Sequence, residues 1–86
     1  MQVSIELTLY PLQDEYLTKI KQVVDRLNSL GNSIEGIKVQ TFPTATILTG
    51  DYDRTMDAVK DCIRWSYESF GKCVFVAKIL PNYQAI

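Results

Sequence analysis

Residues 2–20, QVSIELTLYPLQDEYLTKI, change their hydrophobic period partway along, and that change decides the fold. Up to Tyr10 the apolar residues take every second position. Val3, Ile5, Leu7 and Leu9 share one side, and Gln2, Ser4, Glu6, Thr8 and Tyr10 share the other. Period two is that of a strand with one buried face. Beyond Pro11, Tyr16, Leu17, Ile20, Val23, Val24, Leu27 and Leu30 recur at helical spacing, with Asp14 as the expected N-cap and Gly31 as the expected stop. A strand with one apolar face followed at once by an amphipathic helix is half of a layered α+β unit.

The rest of the chain repeats this logic. Residues 34–40 and 45–50 read as two short strands, and Pro43 in the TFPT stretch between them fixes a turn, so they predict a hairpin. After Asp51-Tyr52-Asp53 a second helix carries Met56, Val59, Ile63 and Phe70 on one stripe, flanked by Cys62 and Tyr67, and ends near Gly71. The carboxylates of DYDRTMD, residues 51–57, suit a helix start, where they cap backbone amides and favour the dipole. Residues 72–80 supply the last strand, which Pro81 terminates. The order β-α-β-β-α-β, with no linker or repeat, predicts one α+β domain over residues 1–86. Its plan is ferredoxin-like: a four-stranded antiparallel sheet with two helices on one face.

Composition narrows the function. A chain of 86 residues removes only about 60% of its unfolded surface from water when it folds alone, so help from a partner chain is expected. Nine basic and ten acidic residues, spread evenly, leave no electrostatic footprint for a phosphate backbone, which argues against nucleic acid. MQVSIELTLY has no basic leader region, and the apolar run CVFVA is too short to span a bilayer, so neither a signal peptide nor a membrane role is expected. Cys62 and Cys73 lack C-x-x-C spacing, and a reducing cytoplasm is the simplest home. With no histidine, Ser-His and Cys-His chemistry and most zinc sites are absent. The expectation is a protein without catalytic residues, metal or cofactor.

Because both helices take the Val3, Ile5, Leu7, Leu9 face, Ser4, Glu6, Thr8 and Tyr10 are expected to project from the uncovered side of the sheet. The last strand is apolar on both faces as far as Ala77, more than one covered face requires, which predicts burial of the open face by a second copy. Glu6, near the middle of a central strand, either reads a cationic or amine group or pairs with Lys38 or Lys78. Thr8, Thr46 and Thr49 offer hydroxyls, although threonine also suits strands simply because it is β-branched. Tyr10 and Trp65 are aromatic candidates for stacking on a flat ring, and Trp65, off the helix stripe, equally suits a subunit contact.

SIELTLYPL, residues 4–12, together with ATILTGD, residues 45–51, resembles the YkoF-like family of thiamine- and hydroxymethylpyrimidine-binding proteins and the related short thiamine-binding domains. In that family the first strand ends in a Ser-Leu-Tyr-Pro-Leu type of corner, and the third carries a Ser-Thr-x-x-x-Gly-acidic pattern. Thr8-Leu9-Tyr10-Pro11-Leu12 is similar to the first, with threonine keeping the hydroxyl. Thr46, Gly50 and Asp51 match the second, with Ala45 where the family often has serine. The resemblance implies ferredoxin-like domains that pair through their sheets, here as a homodimer or homotetramer. It also implies thiamine or its pyrimidine portion as a noncovalent ligand. Glu6, Thr8, Tyr10, Thr46 and Thr49 are then the expected ligand-binding residues. A carboxylate, hydroxyls and an aromatic face suit the thiazolium charge, the amine and the ring nitrogens. Tyr10-Pro11 is expected to wall that site.

Two enzymes or modules of the same plan fit less well. An acylphosphatase-like reaction needs a phosphate cradle after the first strand, and YPLQDE is acidic there. RNA recognition needs aromatics on the central strands, which ATILTGD lacks. The remaining alternative is a regulatory or structural oligomerisation module with no small-molecule ligand.

Overall fold

The period change at Pro11 becomes the boundary between a strand and a helix. In the computed structural model, which describes residues 1–12 and 14–86, the elements are β1 (Gln2–Pro11), α1 (Tyr16–Ser33), β2 (Ile37–Thr41), β3 (Thr46–Asp51), α2 (Tyr52–Phe70) and β4 (Cys73–Pro81). All neighbouring strands are antiparallel, in the order β2-β3-β1-β4. This is the ferredoxin-like α+β fold. Val3, Ile5 and Leu7 of β1 are buried with Leu48 of β3, Ile37 of β2, Val23 and Leu27 of α1, and Ala58, Val59 and Cys62 of α2. The apolar face of β1 is thus the centre of the core, as its alternation predicts.

The ladders on the two sides of β1 differ in length. Pairing with β3 ends at Leu7↔Thr46, whereas pairing with β4 continues to Pro11↔Cys73. Past Leu7 the first strand therefore has a neighbour on one side only. The chain leaves β3 there through the 42–45 turn, closed by the Phe42 amide donating to the Ala45 carbonyl at 2.8 Å.

Several local expectations are corrected. Helix α1 begins one residue beyond Glu15, whose side chain makes no capping bond, so Asp14 is not the N-cap. Gly31 does not stop the helix, which runs to Ser33. A Cβ at Gly31 would meet Val39 Cγ2 at 2.6 Å, so glycine serves there to let β2 approach. The chain turns instead at Gly36, with φ +87, and β2 starts at Ile37 rather than residue 34. Asp51 does cap α2, accepting from the Arg54 amide at 3.1 Å.

The α2 stripe is rotated from its expected position. Thr55, Ala58, Val59, Cys62 and Ser66 face inward, while Ile63 and Tyr67 are exposed. Small residues let the helix sit close to the sheet, and Ser66 satisfies its hydroxyl by donating to the Cys62 carbonyl at 2.7 Å, so its burial costs little. Trp65, read as a possible subunit contact, packs within the chain: edge-on to Phe70 at 6.3 Å and beneath the Arg26 guanidinium at 5.6 Å.

The open sheet face is partly closed by the chain's own C-terminal residues. The Asn82 amide donates to the Gln2 carbonyl at 2.7 Å, and Asn82 then adopts φ 56, a conformation asparagine tolerates better than most residues. This turns residues 83–86 back over β1. The Ser4 hydroxyl donates to the Tyr83 carbonyl, accepts from the Ala85 amide at 2.9 Å, and lies 2.8 Å from the Thr49 hydroxyl. Ser4, expected on an uncovered face, is completely buried. Ser4→Ala leaves the buried Thr49 hydroxyl and the part-buried Tyr83 carbonyl and Ala85 amide short of a hydrogen bond. A loss of about 1–3 kcal/mol is expected. Hydrogen exchange at the Ala85 amide should quicken at least about fivefold, the counterpart of that loss; unchanged exchange would mean that something else holds the tail.

Candidate functional site

The splay between β1 and β3 opens a cavity of ≈ 470 Å³. Its apolar floor comes from Leu7 and Leu9 on the covered face of β1 and from Ile20, Val23, Val24 and Leu27 on the inner face of α1. The Tyr10-Pro11 corner forms one wall, and Thr41 to Thr46 at the β2–β3 turn form the opposite one. Tyr10, Tyr16, Phe42 and Phe75 supply aromatic surface. Among the described lining residues there is no charged side chain. A concave, mostly apolar hollow with a few polar groups is the usual form of a small-molecule site.

Those polar groups are threonines. The Thr8 hydroxyl donates to the Thr44 carbonyl at 3.1 Å, so Thr8 ties the turn to the first strand while its lone pairs stay uncommitted by that bond. Thr46 is 3% exposed, and its hydroxyl lies 3.2 Å from that of Thr41. Asn28 of α1 donates to the Val24 carbonyl at 2.9 Å and to the Thr41 hydroxyl at 3.4 Å. A short hydrogen-bonded chain thus runs from the helix to the buried threonine.

Of the residues expected to bind ligand, Thr8, Tyr10 and Thr46 meet at this cavity, with Pro11 beside them. They do not share one sheet face: Thr46 is in phase with Leu48 and Gly50 and lies on the helix-covered side, opposite Leu7. Glu6 stays on the open face, where its carboxylate is 3.7 Å from Lys78 Nζ. That ion pair is half-solvated and contributes little stability. Thr49 is buried beneath the tail against Ser4. The single surface expected to unite all of them is therefore divided in two by the pleat.

Thr41, Asn28, Phe42 and Phe75 reach the cavity region through tertiary packing that no local sequence pattern marks. One signal was legible: Thr46 falls in phase with Leu48, and a threonine in step with core residues marks a polar group on the buried side. Neither cysteine offers a reactive thiolate. Burial pushes the Cys62 thiol up to about 11, and burial also raises that of Cys73. Among the described residues no cluster of His, Cys, Asp and Glu could hold a metal ion, and no helix is long and apolar enough to cross a membrane.

The profile of the YKOF-related family matches residues 2–78, and the chain belongs to that family. Solved structures of the same fold include a Streptococcus pneumoniae protein, 22% identical, with a TM-score of 0.78 over 96% of this chain and 89% of that one. A candidate thiamine biosynthesis/salvage protein of Thermotoga maritima is 24% identical, with a TM-score of 0.71 over 99% of this chain and 86% of the other. A protein of Methanocaldococcus jannascii is 22% identical, with a TM-score of 0.75 over 95% and 81%. No curated protein matches the chain.

Proposed function

We propose that this protein binds thiamine or its hydroxymethylpyrimidine moiety noncovalently, as a cytoplasmic homodimer or homotetramer serving thiamine transport, salvage or metabolism. The observation that carries this reading is the uncharged, aromatic- and hydroxyl-lined cavity beneath the Tyr10-Pro11 corner. Membership of the YKOF-related family and the likeness to a candidate thiamine biosynthesis/salvage protein support the same ligand class. The aromatic rings suit a pyrimidine by stacking and a thiazolium by cation–π attraction. The threonine hydroxyls both donate and accept, as an aminopyrimidine edge requires. Strands, a helix and a turn tied to β1 through the Thr8–Thr44 hydrogen bond supply the walls, which keeps the ordering cost of binding low. Phosphate esters find no cation among the described lining residues, and the unphosphorylated ligands should bind more tightly.

Assembly belongs to the same reading. The half of the open face not covered by the tail exposes Tyr10, Val74 and Val76 beside the Glu6–Lys78 pair. A second copy laid on this apolar surface would remove it from water. The alternative, an oligomerisation module without ligand, is favoured by the same exposed face. Calorimetric titration separates the two. Thiamine or hydroxymethylpyrimidine is expected to bind in the micromolar range. Glu6→Gln should leave that affinity unchanged, and Tyr10→Ala should weaken it by about 1–2 kcal/mol, the scale of a lost stacking contact. No heat from either ligand, with association still seen by sedimentation, would favour the assembly module.

A further inference from the structure

We propose that Thr46 reads an unprotonated ring nitrogen of the bound heterocycle, and that Asn28, a positioning residue, sets the direction of that hydrogen bond through Thr41. This rests on the reading of the cavity given above. The orientation of the Asn28 amide is dictated by its surroundings. Nδ2 lies 2.9 Å from the Val24 carbonyl oxygen, which can only accept, so the NH₂ end must face it. The same nitrogen has a second hydrogen to donate, and Thr41 Oγ1 lies 3.4 Å from it.

Thr41 therefore accepts from Asn28 and has its own proton to place. Thr46 Oγ1, 3.2 Å away, is the acceptor within reach. Donation along this line is reinforced, because a hydroxyl that already accepts becomes a better donor. In the opposite order Thr41 accepts from both Asn28 and Thr46 and passes its own proton to water at the exposed edge strand, so it is an acceptor held in the cavity that draws the pair into the forward order. The forward order leaves Thr46, buried and lining the cavity, with a proton to donate inward. The group that suits it is an acceptor in the plane of a flat ring: an sp² ring nitrogen with a free lone pair. The neighbouring exocyclic amine of an aminopyrimidine then meets hydroxyl lone pairs.

The test compares hydroxymethylpyrimidine with its carbocyclic analogue, in which the ring nitrogens are replaced by C–H, by calorimetry at neutral pH. On the wild type the pyrimidine is expected to bind about tenfold more tightly, the worth of one net hydrogen bond. Thr46→Val, which keeps the shape, should abolish that ratio by weakening the pyrimidine alone, and Thr46→Ser should restore it. Asn28→Ala should reduce the ratio about threefold, since Thr41 loses the donor that orients it, while leaving the carbocycle unaffected. Equal binding of the two rings by the wild type overturns the proposal without any variant. So does a Thr46→Val protein that weakens both alike. If the wild type binds neither thiamine nor the pyrimidine, the cavity reading itself falls, an outcome distinct from a wild type that binds both rings equally.

Discussion

Replacing Gly50 with alanine is expected to cost about 3 kcal/mol, the upper range for forcing atoms into a packed interior. For a domain of this size that lowers the melting temperature by about 12–24 °C. The reason is backbone, not side chain. Gly50 is paired with Val3 on one side and Ile37 on the other. A Cβ there would collide with the Gly36 carbonyl oxygen and stand 3.1 Å from Ile37 Cα. Neither can rotate away, because Gly36 is committed to its positive φ and the Glu35 carbonyl is held by Arg54 at 2.9 Å. Gly31→Ala is the informative contrast: its Cβ would meet chiefly the side chain of Val39, and alanine favours the helix, so the loss should be smaller. The measurement is thermal or urea unfolding of both variants. A Gly50→Ala protein melting within a few degrees of the wild type would show that β2 shifts freely, and with it the turn that walls the cavity.

The local periods that identify the elements carry no information about how far each ladder runs. Val3, Ile5 and Leu7 announce the buried face of β1 by alternation alone, and Asp51 announces its helix by the capping chemistry of a short acidic side chain. Both signals act within a few residues. Gly31 and Gly36 show the limit. Gly31 reads as a helix stop, yet α1 runs past it to Ser33, and what requires glycine there is Val39 of the next strand, which a Cβ would meet. The rotation of α2 is also set from outside, since closeness to the sheet selects Ala58, Cys62 and Ser66 over the larger Ile63 and Tyr67.

The site divides along the same line. Tyr10 and Pro11 are legible as a corner, and Thr8 as a hydroxyl beside it. That Thr46 reaches the same hollow from the other face depends on β3 pairing with β1 only as far as Leu7. Glu6 illustrates the same limit: the sequence allows a ligand group or a partner for Lys38 or Lys78, and the β4 register, which sets Lys78 directly opposite, selects that ion pair.

Leu27→Ala is expected to lower stability by about 3 kcal/mol, within the range for deleting a buried leucine. Leu27 is 1% exposed, packs in the core, and also lines the cavity. Its loss therefore extends an existing hollow instead of creating an isolated void, and the surroundings cannot collapse to fill it without moving α1. Urea unfolding should show the lost free energy at an unchanged denaturant slope, because the same surface is exposed on unfolding. Ligand supplies the second half of the measurement. At about 100 times its dissociation constant a molecule bound only to the folded state adds about 2.7 kcal/mol. On the proposed binding mode, in which Thr46 and the aromatic rim hold the ring, the same hydroxymethylpyrimidine concentration should add less in Leu27→Ala, since one apolar wall is gone. Equal increments in the two proteins would place the ligand in the outer part of the hollow, between Tyr10 and Phe42. A complete loss of the increment would make the α1 floor, rather than the threonines, the dominant contact. The same leucine thus joins folding to recognition: a side chain that α1 buries to form the core is also the base on which a guest would rest.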